Sequence, residues 1–421
     1  MKQMNKIVAF IVCSLMSFFS ANAQGISIDS CYQWARNNYP LVKQLALIER
    51  SKEYSLANVQ KGYLPQVNVS GYSTYQSEVL TFPFNIPGSS IDPLRKDQHR
   101  IYGEITQPIT DLWNVKIQKE LAANNAEVES QKIEVELYKI NERINQLFFG
   151  IILIDEQIKQ TTLIKTDLEN ALQKVQAAVI NGSSLVSNLD LLKVEVLKVN
   201  QRIDELTSGK KAYLKMLEQF TGKSIGINAV LLKPAFLQNS EAINRPELKL
   251  FSIQQRGFDI QTRLLTNKTL PKLNFFFQGG YGAPGLNVIN NNPASYYYTG
   301  LRLNWNLSSF YTYKKEKSLL DLHKRGFDIQ KEIFMLNTNL NISQQSEEIE
   351  KYKGLINSDN EIVKLRMNIK ATTEAQLVNG TVTTFDFLNQ LNAEDQARQN
   401  LVLHQIQLLY AQYNLLVTKG K

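Results

Sequence analysis

The apolar residues between positions 133 and 158 recur at alternating steps of four and three. They are Ile133, Leu137, Ile140, Ile144, Leu147, Ile151, Ile154 and Ile158. Such steps average about 3.5 residues per turn, the period of a left-handed coiled coil. The seam resumes between Leu168 and Val179, and no proline interrupts residues 109–180. The pattern therefore predicts one helix of about 70 residues, roughly 105 Å long at 1.5 Å per residue.

A second apolar seam follows the first after a short polar segment. Its members are Leu189, Leu192, Val196, Val199, Ile203, Leu206, Tyr213, Leu217 and Phe220. The segment between the seams, NGSSLVSN at 181–188, is rich in residues that favour turns. The sequence thus predicts an antiparallel helical hairpin over about 111–221. Helices this long exceed those of a compact globular domain, whose average is about 10–14 residues.

Four shorter segments alternate apolar residues with polar or small ones, which is the period of a β-strand. We predict strands over residues of about 65–76, 99–110, 272–282 and 296–308. Strands of about ten residues with aromatic side chains and one apolar face are typical of transmembrane β-barrels. A soluble sheet gives the same alternation, so the pattern alone leaves both open. The apolar side chains that would face lipid are Phe275, Phe277, Leu301, Leu303, Trp305 and Leu307.

The order of helix, strand, loop, strand, long helix, turn and helix occurs twice along the chain. The segment YLPQVNV at 63–69 matches TLPKLNF at 269–275. The segment AAVINGS at 177–183 likewise matches AQLVNGT at 375–381, an offset of 198 residues. The chain is therefore predicted to be internally duplicated.

We divide the chain into three parts, a signal peptide and two repeats. Residues 1–23 are predicted to be a signal peptide, with the basic start MKQMNK, an apolar run and the sequence ANA before cleavage. A lipoprotein signal at Cys13 is the weaker alternative, because bulky residues precede that cysteine. The first repeat spans 24–245 and ends in a connector over about 222–245. The second repeat spans 246–421 and holds a hairpin over about 309–418.

Composition argues against an enzyme, a metal protein or a nucleic-acid-binding protein. The net charge of +8 would fall to 8 − 2 = +6 on removal of Lys2 and Lys6. This charge is interleaved along the helices and indicates solvated helix faces. The three histidines have no metal-ligand spacing, and no nucleophile elbow or phosphate-binding loop is present. We therefore expect no catalytic residue, no cofactor, no metal and no nucleic acid partner.

Four strands cannot close a membrane barrel, because natural barrels have at least eight. A sheet left open in lipid would leave unpaired backbone groups, at several kcal/mol each. If these strands cross a membrane, several chains must share one barrel.

The chain resembles the TolC-like outer-membrane efflux factors over its whole length after the signal peptide. The resemblance rests on the duplication, the LP before the first strand of each half, the NG turns, and the closing LNQLNAEDQARQNLVLHQIQLLYAQYNLL. It implies a mainly α fold with transmembrane β-strands. Long antiparallel coiled-coil helices would form an α-barrel, and each chain would add four strands to a shared 12-stranded trimeric β-barrel.

The same resemblance implies a homotrimer in the outer membrane of a Gram-negative bacterium, in contact with lipid, with a periplasmic helical tunnel. The tunnel would bind a periplasmic adaptor protein and an inner-membrane transporter, and would pass small toxic molecules to the exterior. Two alternatives stay open: the duct of a type I protein secretion system, and a soluble periplasmic helical adaptor or scaffold. The hairpin turns that would contact the adaptor are Asn181, Gly182, Asn379, Gly380 and Thr381.

The family's polar gate is only partly retained at the second hairpin. Family members carry a Tyr, an Arg and two Asp residues three apart there. This chain keeps Asp386 but has Asn389, Leu377 and Val382 at the other positions. The resemblance therefore supports one ring of carboxylates, at Asp386, and the alternative is that Asp386 only caps the helix starting at Phe387. In the first hairpin Asp190 follows Gly182 by eight residues, two more than separate Gly380 from Asp386.

The hexapeptide RGFDIQ occurs at 256–261 and again at 325–330. In both copies the glycine, Gly257 or Gly326, falls on a heptad seam. A glycine there costs about 1 kcal/mol in helix propensity relative to alanine. It also permits close approach of another chain segment. We expect the two helices to use the same packing at this point.

Overall fold

The structure, a computed structural model, describes residues 25–80, 95–235 and 242–421. The proposed signal peptide lies outside the described residues. The helices are α1 Ile28–Asn38, α2 Val42–Gln60, α3 Leu112–Ile180, α4 Val186–Thr221, α5 Pro246–Lys268, α6 Ser309–Val378 and α7 Thr384–Lys419. The strands are β1 Gln66–Tyr75, β2 Asp97–Pro108, β3 Lys272–Ala283 and β4 Ala294–Asn304.

Two pairs of long helices dominate the fold. Helix α3 has 69 residues and α6 has 70, while α4 and α7 have 36 each. The helix of about 70 residues predicted from the seam is confirmed. Helices α4 and α7 begin 384 − 186 = 198 residues apart, the same offset as the matched sequence segments.

The chain forms two compact units, and each draws segments from both halves of the sequence. Among the described residues, the first unit comprises 25–43, 133–235, 242–246 and 334–421, and the second comprises 44–80, 95–132 and 247–333. Neither unit corresponds to one repeat. The division into repeats at residue 245 stays a prediction about the origin of the sequence.

The core of the first unit is built on the seam of α3. Ile144, Leu147 and Ile151 are at most 2% exposed. Phe149 packs its ring against Tyr413 of α7, with centroids 5.4 Å apart. Each fully buried side chain of this size contributes about 1.5–3 kcal/mol. The heptad pattern therefore identified the residues that hold this unit together.

Helix α1 packs within the first unit through both apolar and polar contacts. Cys31 on its inner face is fully buried, and this burial raises the pKa of its thiol to about 12. The hydroxyl of Tyr32 donates to Asn145 Oδ1, and Asn145 Nδ2 donates to Asn414 Oδ1 at 2.9 Å. The fully buried Asn145 thus has its polar atoms satisfied by α1 and α7, as a buried amide requires.

The second unit contains an antiparallel sheet in the order β1-β2-β3-β4. Its register pairs Val67 with Ile105, Ile105 with Phe277, and Phe275 with Leu301. Because residues two apart along a strand share a face, this register puts the apolar residues of all four strands on one face. The four predicted strands are confirmed, and the first three have ends within two residues of the predicted ones.

The end of the fourth strand was predicted wrongly. Strand β4 ends at Asn304, so Trp305 and Leu307 lie after it. The carbonyl of Leu307 accepts from Phe310 N at 3.1 Å, in the turn that starts α6. Trp305 Nε1 donates to the carbonyl of Thr269 at 3.0 Å. The alternation of apolar residues continues past the point where the backbone leaves the sheet.

Candidate functional site

The apolar face of the sheet is open to its surroundings in the single chain. The exposed fraction is 74% for Val69, 63% for Leu301 and 67% for Leu303. Phe275 and Phe277, on the same face, are 44% and 39% exposed. Apolar patches of this extent mark contact with a protein or a membrane. That these residues face lipid stays a prediction.

The opposite face of the sheet is polar and its side chains contact one another across the strands. Arg302 Nη1 and Nη2 donate to the two oxygens of Glu104 at 2.9 and 3.1 Å. The Arg302 guanidinium also lies 4.4 Å from the centre of the Phe276 ring. Tyr298 donates its hydroxyl hydrogen to Gln278 Oε1 at 2.7 Å. The two faces of this sheet therefore suit two different environments.

The turns of the two helical hairpins have the same geometry. Gly182 has φ 72° and Gly380 has φ 69°, the left-handed region that a side chain disfavours. Ser183 N donates to the carbonyl of Ala178 at 2.8 Å, and Thr381 N donates to that of Gln376 at 3.0 Å. Each of these bonds reaches a carbonyl five residues back, which ends both helices in a Schellman motif. Asn181 and Asn379, just before the glycines, donate their backbone N–H groups four residues back.

Exposed apolar side chains surround both turns. Their exposed fractions are 78% for Ile180, 70% for Leu185, 61% for Val186, 65% for Val378 and 60% for Phe385. Polar groups are common at surface turns, whereas these five residues leave much apolar surface uncovered in one chain. The surroundings of the turns thus have the character of a contact surface.

Asp386 caps helix α7. Its side chain accepts from Thr383 N at 3.0 Å, and Asp386 N donates to Thr383 Oγ1 at 3.1 Å. This is a reciprocal capping box, with the helix beginning at Thr384 and not at Phe387. The hydrogen bonds from the Thr383 side chain and backbone lower the pKa of the Asp386 carboxyl. The side chain is exposed, so a role in a carboxylate ring stays a prediction beside the cap.

The neighbours of Asp386 have different surroundings. Leu377 packs against the apolar cluster that joins the two hairpins. Val382 is half-buried and Asn389 is exposed. The buried members of this cluster are Ile164, Leu168, Ala171, Val175, Leu192, Phe387, Leu388 and Leu391.

The first hairpin has no counterpart of this carboxylate cap. Because α4 and α7 begin at the same offset of 198, Asn188 and not Asp190 corresponds to Asp386. Asn188 Nδ2 donates to Ser184 Oγ at 3.2 Å, and Leu185 at the cap position makes no side-chain cap. Asp190 instead pairs with Lys193 at 3.3 Å. The two extra residues before Asp190 are therefore helical residues and not a longer turn.

A charged cluster links the second hairpin to the first, and it could not be predicted from the sequence alone. Lys370 on α6 contacts Asp167 on α3, and lies 3.4 Å from Glu394 on α7. Arg398 pairs with the same Glu394 at 2.7 Å. Burial lowers the pKa of Lys370, but the hydrogen bond and charge of Asp167 and the charge of Glu394 outweigh it, so the pKa is raised.

The two RGFDIQ copies pack differently, contrary to the expectation of shared packing. A Cβ on Gly257 would lie 2.9 Å from Asn124 Nδ2, so this glycine permits close contact with α3. A Cβ on Gly326 would meet nothing within 4 Å. The seam around Gly326 is also more than half exposed, at Leu319, Leu322, Ile329, Ile333, Leu336 and Leu340. The glycine therefore meets a neighbouring side chain in only one of the two copies, although the copies contact each other through Phe258 and Phe327, whose ring centroids are 5.5 Å apart.

Two further features are absent from the described residues. None of the helices there has a stretch long and apolar enough to span a membrane. No cluster of three or more His, Cys, Asp or Glu residues suited to a metal ion occurs in those same ranges.

Solved structures match this chain over most of its length. VceC, an outer membrane protein from Vibrio cholerae, has a TM-score of 0.66 and 11% identity, over 93% of this chain and 96% of that one. The Campylobacter jejuni CmeC outer membrane channel has a TM-score of 0.62 and 12% identity, over 93% and 85%. The open state of the Neisseria gonorrhoeae MtrE outer membrane channel has a TM-score of 0.65 and 10% identity, over 93% and 88%.

No protein-family model matches the sequence, and no curated protein matches it. The similarity to these channels thus rests on the agreement of the three-dimensional structures over 93% of this chain. The mainly helical architecture with four antiparallel strands accounts for that agreement. The chain has the TolC-like fold of outer-membrane channels.

Proposed function

We propose that this chain is one subunit of a trimeric outer-membrane channel of a tripartite efflux system in a Gram-negative bacterium. The observation that carries the proposal is a four-stranded sheet with one exposed apolar face, joined directly to helices of 69 and 70 residues. The channel would pass small toxic molecules from an inner-membrane transporter and a periplasmic adaptor to the exterior. The solved structures of similar fold are those of outer-membrane channels.

The sheet supports a shared barrel. Among the described residues, strands β1 and β4 each have one neighbouring strand, so each leaves one row of backbone groups unpaired there. In lipid every such group costs several kcal/mol unless it is paired. Pairing β4 of one chain with β1 of the next closes the sheet, and three chains give 3 × 4 = 12 strands. The apolar faces would then all point outward to lipid, and the polar faces inward.

The helices of the same unit support the same ring. Helix α2 precedes β1 and has no buried residue, with Leu47 67% and Tyr54 60% exposed. Helix α6 follows β4 and exposes the seam around Gly326. The two uncovered helices thus belong to the two edges of the sheet. We infer that α6 of one subunit packs against α2 of the next, which a cyclic assembly repeats three times.

The hairpin turns support a role in binding the adaptor. Their glycines, Gly182 and Gly380, hold two tight turns of the same geometry. The apolar side chains around those turns are 60–78% exposed. Such a surface is suited to a partner of similar character, and we assign it to the periplasmic adaptor. Asp386 would add one carboxylate per subunit to the entrance while also capping α7.

The alternatives are not favoured by an observation of their own. A soluble periplasmic scaffold would have little use for a sheet whose apolar face stays open to water. A type I protein secretion duct would share the whole geometry, because the inner-membrane partner selects the cargo.

The proposal is tested by fractionation, mass measurement and transport. We expect the chain in the outer-membrane fraction, with a native mass of three copies in detergent. Deleting its gene should increase sensitivity to small toxic compounds, and the intact gene should restore resistance. A soluble monomer would refute the channel, whereas a trimeric pore whose loss impairs only protein secretion would refute efflux.

A further inference from the structure

The polar face of the sheet has three cations, and two of them are paired with carboxylates. Arg302 pairs with Glu104 at 2.9 Å, and Lys272 pairs with Asp111 at 3.0 Å. Arg100 differs, because among the described residues it forms no ion pair with a carboxylate and instead contacts two backbone carbonyls and an aromatic ring. The charge of this face therefore does not cancel at Arg100.

The structure holds Arg100 in one place. Its register partner on β3 is Gly282, and a Cβ there would lie 2.5 Å from Arg100 Cγ. The glycine thus leaves the space through which the arginine side chain crosses β3. Beyond it, the guanidinium lies 5.9 Å from the centre of the Tyr296 ring, and Tyr296 is only 8% exposed. The side chain lies along the sheet and not free above it.

Two backbone carbonyls fix the orientation of the guanidinium. Arg100 Nε donates to the carbonyl of Pro284 at 3.0 Å, and Nη2 donates to that of Gly285 at 3.2 Å. These acceptors are dipoles without net charge, so they position the cation without neutralising it. A guanidinium has five N–H donors and stays protonated in proteins, which leaves three donors for other groups. Arg100 is therefore a permanent and positioned unit charge.

We propose that Arg100 makes the interior of the barrel favour anions, so that three copies attract anionic solutes. This inference rests on the proposed function, because it needs the polar face to line a water-filled lumen. Arg100 lies eight residues before Pro108, where β2 ends, which is about 27 Å at about 3.4 Å per residue. Because Arg100 is also only three residues after Asp97, where β2 begins, the charge acts near the end of the barrel that lies away from the helices, and its sign is opposite to that of Asp386.

The expected size of the effect follows from the geometry of a pore. A unit charge about 10 Å from a permeating ion in water is weakly felt, and salt at about 0.1 M screens it further. Three such charges favour an anion and disfavour a cation by equal amounts, so together they change the ratio of anion to cation permeability by about fivefold. At about 1 M salt the screening length falls to about 3 Å, and the effect should nearly vanish.

The test is a reversal-potential measurement on the reconstituted full-length protein in a planar bilayer, under a KCl gradient at low salt. We expect Arg100→Gln to lower the ratio of chloride to potassium permeability by about fivefold. Arg100→Lys, which keeps the charge, should leave the ratio near that of the wild type. Glu104→Gln should raise the ratio, because it removes the carboxylate that neutralises Arg302.

Each outcome decides the inference. Conducting Arg100→Gln channels with the wild-type ratio overturn it. An Arg100→Lys variant that matches Arg100→Gln also overturns it, because the cause would then be packing and not charge. If Arg100→Gln does not assemble, the opposite shift in Glu104→Gln supports an interior governed by these charges, and no shift there overturns it. A wild-type protein that forms no pore refutes the proposed function itself.

Discussion

An arginine placed on the apolar face of the sheet should destabilise the protein according to its depth in the membrane. We choose Val69, which is 74% exposed, and Leu303, which is 67% exposed. Both side chains are on the apolar face and have similar exposed fractions, so the main difference between them is their depth in the proposed membrane. Val69→Arg and Leu303→Arg therefore separate a membrane-embedded surface from an ordinary exposed one.

The magnitude follows from the strand register. Val69 pairs with Gly103, which pairs with Gly279 near the middle of β3, while Leu303 pairs with Leu273 near its start. The two levels are 279 − 273 = 6 residues apart along β3. Six residues span about 20 Å, or about 15 Å along the axis of a barrel whose strands tilt by about 40°. The apolar band of such barrels is about 25 Å tall, so Leu303 lies at its edge if Val69 lies at its middle.

An arginine costs about 2–4 kcal/mol at mid-depth and about 0–1 kcal/mol near the interface. In a trimer the mid-depth cost is threefold, about 6–12 kcal/mol, which is comparable with the total stability of many proteins. We therefore expect Val69→Arg to prevent or severely reduce assembly. Leu303→Arg should assemble with a small loss.

The assay measures trimer in the outer-membrane fraction by gel without heating, and the urea midpoint of unfolding in lipid vesicles. Ser70→Arg is the matched control, because Ser70 is next to Val69 but on the polar face. It should assemble as the wild type does. If Val69→Arg assembles as well as Ser70→Arg, the apolar face does not meet lipid and the barrel reasoning fails.

Three further predictions address the helices. Gly326→Ala should stabilise the protein by up to about 1 kcal/mol through helix propensity. Gly257→Ala should stabilise it less or destabilise it, because the new Cβ would meet Asn124. The Gly326→Ala variant should therefore melt at the higher temperature. Because the folded-state pKa of Asp386 is below its ordinary value of 3.8, its carboxylate stabilises α7 above about pH 4 and loses that effect as the pH falls further, so the melting temperature of Asp386→Asn should depend less on acid. Lys370→Met should lower the free energy of unfolding of the helical unit by about 1–3 kcal/mol, because the buried Glu394 would keep Arg398 but lose Lys370. Equal urea midpoints for the variant and the wild type would contradict this.

The sequence predicted the elements well because each has a strong local pattern. The seam of α3 gave a helix of 69 residues, and the NG turns were found at Gly182 and Gly380. The predictions were wrong where a sequence pattern continues beyond the end of the helix or strand. Trp305 and Leu307 continue the apolar alternation of β4, but the backbone has already left the sheet for the turn that leads into α6. Alternation with a period of two residues predicts which face of the sheet a residue lies on, but it does not predict where the strand ends.

Contacts between distant segments could not be predicted from a single sequence. Lys370 and Asp167 are 203 residues apart, and Arg302 and Glu104 are 198 apart. On the sequence these residues look like the other charges of solvated helices or strands. Their pairing depends on how two helices, or two strands that are not neighbours, are aligned. That alignment is a property of the fold and not of any local window.

The duplication preserved the backbone and changed the surfaces. Both hairpins have 36-residue return helices and glycine turns of the same φ, yet α3 buries an apolar seam where much of the seam of α6 is exposed. Three of the buried residues of α6 are polar: Thr338, Asp359 and Thr373. A copied helix whose seam finds no partner in its own chain must either expose it to water or meet another subunit. The exposed seam at Gly326 is therefore the part of the second repeat that most requires assembly, and a monomer should show its first local unfolding there by hydrogen exchange.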